Sequence, residues 1–275
     1  MINIGSYIEI AINWLMNNFS SFFDLLSSVV GGFIEGFQQV LYGIPFYITI
    51  LFISLLALYK AGKGIAIFTF LGLGLIYGMG FWKATMETLA LVLSSTSLAL
   101  LFGIPLGIWT AYSDRCDKIA RPILDFMQTM PAFVYLIPAV LFFGLGTVPG
   151  AFATIIFAMP PVVRLTGLGI RQVPREVVEA SHSFGATNWQ LLYKVQFPLA
   201  LPTILTGVNQ TIMMSLSMVV IAAMISAGGL GEIVLKGITQ MKIGLGFEGG
   251  IAVVILAIVL DRITQGMAKT SKRKK

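Results

Sequence analysis

The side chains best suited to metal binding and nucleophilic catalysis occur once each in this sequence, as His182 and Cys116. One cysteine forms no internal disulfide and cannot hold a zinc ion by itself. One histidine closes most acid–base and metal options, and both residues read as ordinary solvated or docked side chains. Phosphate chemistry has no cradle either: Gly62-Lys63-Gly64 lacks the upstream glycine and the following hydroxyl of Gly-x4-Gly-Lys-Ser/Thr. The chain is therefore expected to be no enzyme, to hydrolyse no ATP and to bind no cofactor or metal of its own. What remains is uncharged and lies inside long apolar runs: Ser94, Ser95, Thr96, Ser97, Gln128, Thr129, Asn209, Gln210, Thr211, Ser215 and Ser217. Such groups are costly in lipid and turn toward a bundle interior. Gln128, Thr129, Asn209, Gln210, Ser215 and Ser217 are the candidates for lining a polar path. Asn209, Gln210 and Thr211 are consecutive and cannot share one helix face. Asn209 and Gln210 serve equally as path or dimer-seam residues and as helix–helix hydrogen bonders, and the hydroxyls have back-bonding to their own helix as an alternative.

Residues 171–202 carry a different signal. A polar helix is expected after Pro174, containing Glu176, Val177, Val178, Glu179 and Ala180 and stopped near Gly185. A second helix is expected from about Asn188 until Pro198 and Pro202 break it. The product is a helix–glycine–helix element on rigid stems, a shape that fits a groove of a soluble partner.

The elements that position these residues must be membrane-spanning helices. Apolar residues make up 57% of the chain and charged residues 11%, against roughly 45–50% and about 25% in soluble domains. Mean hydropathy is +0.89. Disorder, collagen, disulfide scaffolds and nucleic-acid modules are excluded, so the net charge of +6 does not imply a nucleic-acid partner. A spanning helix needs about 20 mostly apolar residues. Uncharged runs at 36–59 (with Pro45 near the start of its helix), 64–82, 88–113, 126–163 and 195–231 meet that need, as does a shorter run at 245–263 with Glu248 and Asp261 near its two ends, and 126–163 divides at Gly144–Gly150 into two. Seven helices follow. Short basic loops stay on the cytoplasmic side. Alternating the loops puts fifteen of the 18 Lys and Arg on one side and leaves Lys83, Lys236 and Lys242 on the other. The N-terminus is then outside and the C-terminus in the cytoplasm. No cleavable signal peptide is expected, because no Lys or Arg precedes Lys60.

Before the first span, polar or small residues recur from Glu9 through Asn13, Asn17, Ser20, Asp24, Ser27, Gly31 and Glu35 to Gln38, with a period of about 3.6. An amphipathic helix in the outer interface accounts for this pattern, and a helix packed on the bundle accounts for it equally. Four tryptophans, Trp14, Trp82, Trp109 and Trp189, do not cluster into a cation-binding cage and read as interface anchors and packing. Five cations, Lys269, Lys272, Arg273, Lys274 and Lys275, close the sequence and would be drawn to anionic lipid. The organisation expected is an interfacial segment at 1–43, two accessory spans at 44–82, a core at 83–265 containing the loop at 171–198, and a basic tail at 266–275.

The loop resembles the signature of the permease subunits of ATP-binding-cassette importers, Glu-Ala-Ala, three residues, Gly, nine residues, Ile-x-Leu-Pro. Here Glu179-Ala180-Ser181 is followed at the same spacings by Gly185 and by Val195-Gln196-Phe197-Pro198. Ser181, Val195 and Phe197 are the departures. The stretches at 103–109, 127–138, 155–166 and 207–222 are similar to the glycine betaine/proline osmoprotectant branch. The resemblance implies an all-α type I importer permease in a prokaryotic cytoplasmic membrane, working by alternating access. It implies that residues 176–187 form the helix that couples to a nucleotide-binding subunit, with Glu176, Glu179, Ala180, Ser181, Gly185 and Pro198 in that role. It also implies a second permease copy, two ATPase subunits that hold the ATP and magnesium, surrounding membrane lipids and an external substrate-binding protein or lipoprotein. The alternatives are a permease for choline, carnitine or another small solute, and a secondary transporter or channel that needs no ATPase.

Overall fold

A computed structural model describes the backbone of residues 4–273, with the side chains of residues 7, 9–10 and 12–268. The tail side chains from Lys269 to Lys275 lie outside the described residues. Every regular element among the described residues is a helix. In chain order they are α1 (Ile4–Gly43), α2 (Phe46–Ala61), α3 (Lys63–Gly78), α4 (Trp82–Tyr112), α5 (Asp114–Thr129), α6 (Ala132–Phe143), α7 (Thr147–Arg171), α8 (Arg175–Ser183) and α9 (Asn188–Gln190). A π-helical segment (Leu191–Gln196) leads from α9 into α10 (Phe197–Ala223), followed by α11 (Gly229–Thr239) and α12 (Ile243–Arg273).

Four helices are long and apolar enough to cross a membrane: α4, α7, the continuous α9–α10 and α12. Two bent pairs raise the number to six, and α3 is a shorter apolar helix. All seven expected runs are thus helical, but several differ from the sequence reading. The run at 36–59 is broken between α1 and α2 by a bend of 102°. Pro45 caps α2 and disfavours helix in the residue before it. The helix expected from 126 is split in the same way by Pro131. Met130 is extended (φ −65, ψ 135) and α5 meets α6 at 98°. With 12 residues, α6 rises only about 18 Å, short of the ~30 Å hydrocarbon core.

The expected break at Pro198 and Pro202 does not occur. The backbone stays helical from Asn188 to Ala223, because the wider turn of the π segment precedes Pro198 and both rings fit within a continuing helix. The stretch between the last two spans, expected as an external loop, contains α11. The N-terminal segment is one long helix kinked at Phe19. Its C-terminal half packs on the bundle: Val30 and Ile34 are buried against Leu91, Ala151 and Ala222, and Phe23 stacks on Phe142 at 4.4 Å.

At the centre, α7 packs most extensively on α10 and α4. Small residues permit the close approach. A Cβ at Gly107 of α4 would lie 2.6 Å from the Thr166 Cβ and 2.7 Å from the Val163 carbonyl oxygen of α7. A Cβ at Gly207 of α10 would lie 3.1 Å from the Val162 Cα. Among the described residues no Lys, Arg, Asp or Glu is buried, and the buried hydroxyls of Thr69, Thr85, Ser94, Thr110 and Thr154 donate to carbonyls of their own helices.

Overfilling such a seam costs about 1–3 kcal/mol. Gly107→Ala should therefore lower the melting temperature of the detergent-solubilised protein. Gly64→Ala, whose added methyl meets nothing within 4 Å, should leave it unchanged or raise it. Equal melting of both variants would contradict the packing described.

Candidate functional site

The helix–glycine–helix element is built from two interlocking caps. Glu176 lies in the first turn of α8, where a carboxylate suits the helix dipole. The helix ends at Ser183 in a Schellman motif: the Gly185 N–H donates to the His182 carbonyl at 2.9 Å and the Ala186 N–H to the Ser181 carbonyl at 3.0 Å. Gly185 stands at φ +79, a left-handed conformation that glycine adopts without a side-chain penalty. Thr187 then opens α9 with a capping box. Its hydroxyl accepts from the Gln190 N–H at 3.3 Å, and the Gln190 side-chain oxygen accepts from the Thr187 N–H at 3.0 Å. That box is readable as Thr-x-x-Gln, a signal that the spacing argument passed over.

No residue of α8 is buried. Phe184 is 93% exposed, Trp189 76% and Tyr193 73%. Three large aromatic side chains standing clear of their own protein are the composition of an interface anchor. Glu179 is exposed, and Ala180 shares the outward face of the helix. Ser181 donates to the Val177 carbonyl at 2.7 Å. Pro198 sits in the first turn of α10.

Behind the element lies a polar hub. Glu179, Arg175, Arg171, Tyr112 and Gln196 line a cavity of about 410 Å³. Gln196, in the π segment, is buried and accepts a short hydrogen bond from the Tyr112 hydroxyl of α4. Arg171, at the end of α7, donates to the Thr110 carbonyl at 2.6 Å and pairs with Asp114 at 2.8 Å, with Asp117 at 3.8 Å. Arg121 pairs with Asp117 at 2.7 Å, and Arg164 of α7 pairs with Asp125 of α5 at 2.5 Å. Leu124 is the one residue of α5 that is buried, and the pairs from Arg164 and Arg171 join α5 to α7, whereas Arg121–Asp117 lies within α5. Gln196 and Arg171 stood unassigned in the sequence, because their meaning depends on contacts between distant helices.

The path candidates do not gather at one place. Asn209 faces α12, donating to Asp261 at 3.0 Å and accepting from Thr264. Ser215 is buried and accepts from Thr96 of α4 at 3.2 Å. Gln210 and Ser217 are exposed on another face of α10, seven residues apart, and Ser217 donates to the Met213 carbonyl. Gln128 and Thr129 lie at the end of α5, on the far side of the Pro131 bend from α6; Gln128 is half-buried and Thr129 is exposed, bonding back to Phe126.

A second junction, which the sequence reading missed, closes the opposite end. Glu87 of α4 accepts from the Tyr42 hydroxyl of α1 and from the Gly229 N–H, both at 3.0 Å, and the Thr88 hydroxyl accepts from the Leu230 N–H at 2.8 Å. Two side chains of α4 thus cap the first turn of α11. Among the described residues there is no cluster of three or more potential metal ligands.

Comparison with known proteins bears on what this arrangement serves. The family described as the binding-protein-dependent transport system inner membrane component matches residues 103–274. The chain is 50% identical over 272 residues to the glycine betaine/proline betaine transport system permease protein ProW of Escherichia coli, covering 99% of this chain and 77% of that protein. It is 48% identical to the glycine betaine transport system permease protein OpuAB of Bacillus subtilis, covering 98% of this chain and 96% of that one. It is 50% identical to the glycine betaine/carnitine transport permease protein GbuB of Listeria monocytogenes, covering 98% and 97%. Among solved structures, an inward-facing MetNI methionine ABC transporter superposes with a TM-score of 0.63 at 20% identity, over 70% of this chain and 95% of that chain. That likeness concerns the fold.

Cys116, in the first turn of α5, is the single thiol of the chain and reports on the hub. Arg171→Gln should free α5 and raise the rate of Cys116 labelling by a hydrophilic maleimide several-fold, with a smaller rise on adding salt to the unaltered protein. An unchanged rate in the variant would show that the ion pairs do not hold α5.

Proposed function

From the binding-protein-dependent transport inner-membrane family, to which this chain belongs, we propose that it acts as the permease subunit of an ATP-driven importer for a quaternary-ammonium compatible solute such as glycine betaine or proline betaine. The observation that carries the proposal is near-full-length identity of about one half to permeases named for those solutes, together with an exposed aromatic elbow at the loop where the importer signature falls. The working assembly contains two copies of this chain, two ATPase subunits that bind ATP and magnesium, and an external solute-binding protein. The N-terminus lies outside and the elbow and C-terminus face the cytoplasm, in the orientation that keeps the basic loops inside.

In this reading the elbow is the part of the chain that the ATPase moves. The Schellman turn and the capping box fix the angle between α8 and α9, so the two travel as one piece. The stem continues through the π segment into α10 without a break, so displacement at the elbow arrives on the face of α10 that carries Gln210 and Ser217. These exposed uncharged groups suit a transient polar path for a zwitterion, because a fixed charge there would bind one end of it and slow release. Glu176, Glu179, Ala180, Ser181, Gly185 and Pro198 serve the docking and shape of the elbow. Asn209 and Ser215 serve to hold α10 against α12 and α4.

Reconstituted with its ATPase and binding protein, the complex should take up labelled glycine betaine only with ATP. Gly185→Arg should insert and fold but lose at least ten-fold in uptake, because a non-glycine residue at this φ costs about 1–2 kcal/mol and the added cation stands at the docking surface. Normal uptake by this variant would refute the elbow's role, and uptake without ATP would refute the importer reading itself.

A further inference from the structure

Among the described residues, Gln196 is the one buried side chain that carries an amide or a charge. Several buried hydroxyls bond back to the turn before them, as Thr154 does on the Gly150 carbonyl at 2.7 Å. The Gln196 side-chain oxygen instead accepts from the Tyr112 hydroxyl on another helix. Burial makes that partner obligatory, because an amide oxygen left unpaired away from water is costly. The place of this bond is as particular as its chemistry. Gln196 ends the π segment, whose wide turn is closed by the Phe197 N–H on the Leu192 carbonyl. Both elbow helices, α8 and α9, rest chiefly on that segment. Its apolar anchor is Leu192, in a cluster with Ile170 and Ala200 against which Ile108 of α4 packs. Apolar contacts are non-directional and let one helix slide on another, whereas a hydrogen bond fixes the register.

Tyr112 is the last residue of α4, just beyond the Thr110 carbonyl that accepts from Arg171 of α7 at 2.6 Å. α4 and α10 share a second polar tie, from the Thr96 hydroxyl to the Ser215 oxygen at 3.2 Å. Between Thr96 and Tyr112, α4 rises about 24 Å. One tie alone would leave α4 free to tilt about it, and two ties that far apart fix both shift and tilt. We infer that Tyr112 and Gln196 are positioning residues for coupling: their bond fastens the inner end of α4 to the elbow stem, so that α4 and α10 turn as one body when the elbow is displaced. The inference rests on the importer reading given above and adds α4 to the parts that the elbow drives. Without the bond the stem carries α10 while α4 lags, and fewer solute molecules cross for each ATP hydrolysed.

The test measures labelled glycine betaine moved per ATP hydrolysed, in vesicles holding the permease with its ATPase and binding protein. Tyr112→Phe deletes the donor, and Gln196→Met deletes the acceptor at nearly constant volume. Each variant should assemble and hydrolyse ATP within about two-fold of the unaltered complex, yet move roughly three-fold less solute per ATP. The double variant should be no worse than either single one, because both changes remove the same interaction. Gln196→Glu keeps an acceptor beside Arg171 and Arg175, which line the same cavity, and should hold the ratio within about two-fold of the unaltered value. An unchanged ratio in both single variants would overturn the inference. So would losses that multiply in the double variant, or a Gln196→Glu ratio as low as that of Gln196→Met. If Gln196→Met fails to assemble, Tyr112→Phe decides alone, since it removes a single hydroxyl. An unaltered complex without ATP-driven uptake would instead remove the importer reading, and this inference with it.

Discussion

Lipid offers no hydrogen bonds, so every polar group that the long helices carry into the membrane has to be satisfied by the protein itself. That constraint orders the rest of the molecule. The buried hydroxyls of Thr69, Ser94 and Thr154, on α3, α4 and α7, bond back to their own helices. No charge is buried among the described residues. Seams between helices are made by small residues in van der Waals contact, with Gly107 and Gly207 bringing α4 and α10 onto α7. Among the described residues, the buried hydroxyl oxygens of Ser54, Ser95, Thr166 and Thr211 stand outside the rule without a partner.

With charge excluded from the middle, the polar chemistry is pushed to the two ends. At one end Glu87 and Thr88 cap α11 and tie in α1 through Tyr42. At the other, Arg171 joins the ends of α4, α5 and α7, and Gln196 joins α4 to the stem of the elbow. The elbow itself is held by the Schellman turn and the Thr187–Gln190 capping box and exposes its aromatics. In the importer reading proposed above, the unbroken helical stem is the route by which a force applied at the elbow would reach α10.

Much of this was legible in the sequence. Period and hydropathy located the apolar runs, and Gly185 marked where the polar helix after Pro174 stops. What escaped had a common cause: the backbone outcome depended on tertiary context. Pro45 and Pro131 bend the chain sharply while Pro198 and Pro202 do not, since the π turn ahead of Pro198 accommodates its ring. α11 was too short to stand out from a loop, and its N–H groups are capped by α4, some 140 residues away in sequence. Asn209 and Gln210 are adjacent in sequence and indistinguishable in type, yet one bonds to α12 and the other faces outward.

The central claim is that elbow and α10 move together through an unbroken stem. It is tested most directly by double electron–electron resonance on the assembled importer, with Cys116→Ser as background and spin labels placed by Ser183→Cys on the elbow or Thr206→Cys on the exposed side of α10. Between the nucleotide-free state and an ATP-bound state in which hydrolysis is blocked, the distance between the two copies should change at both positions. A change at Ser183 with none at Thr206 would show that the π segment absorbs the motion, and the account would be wrong.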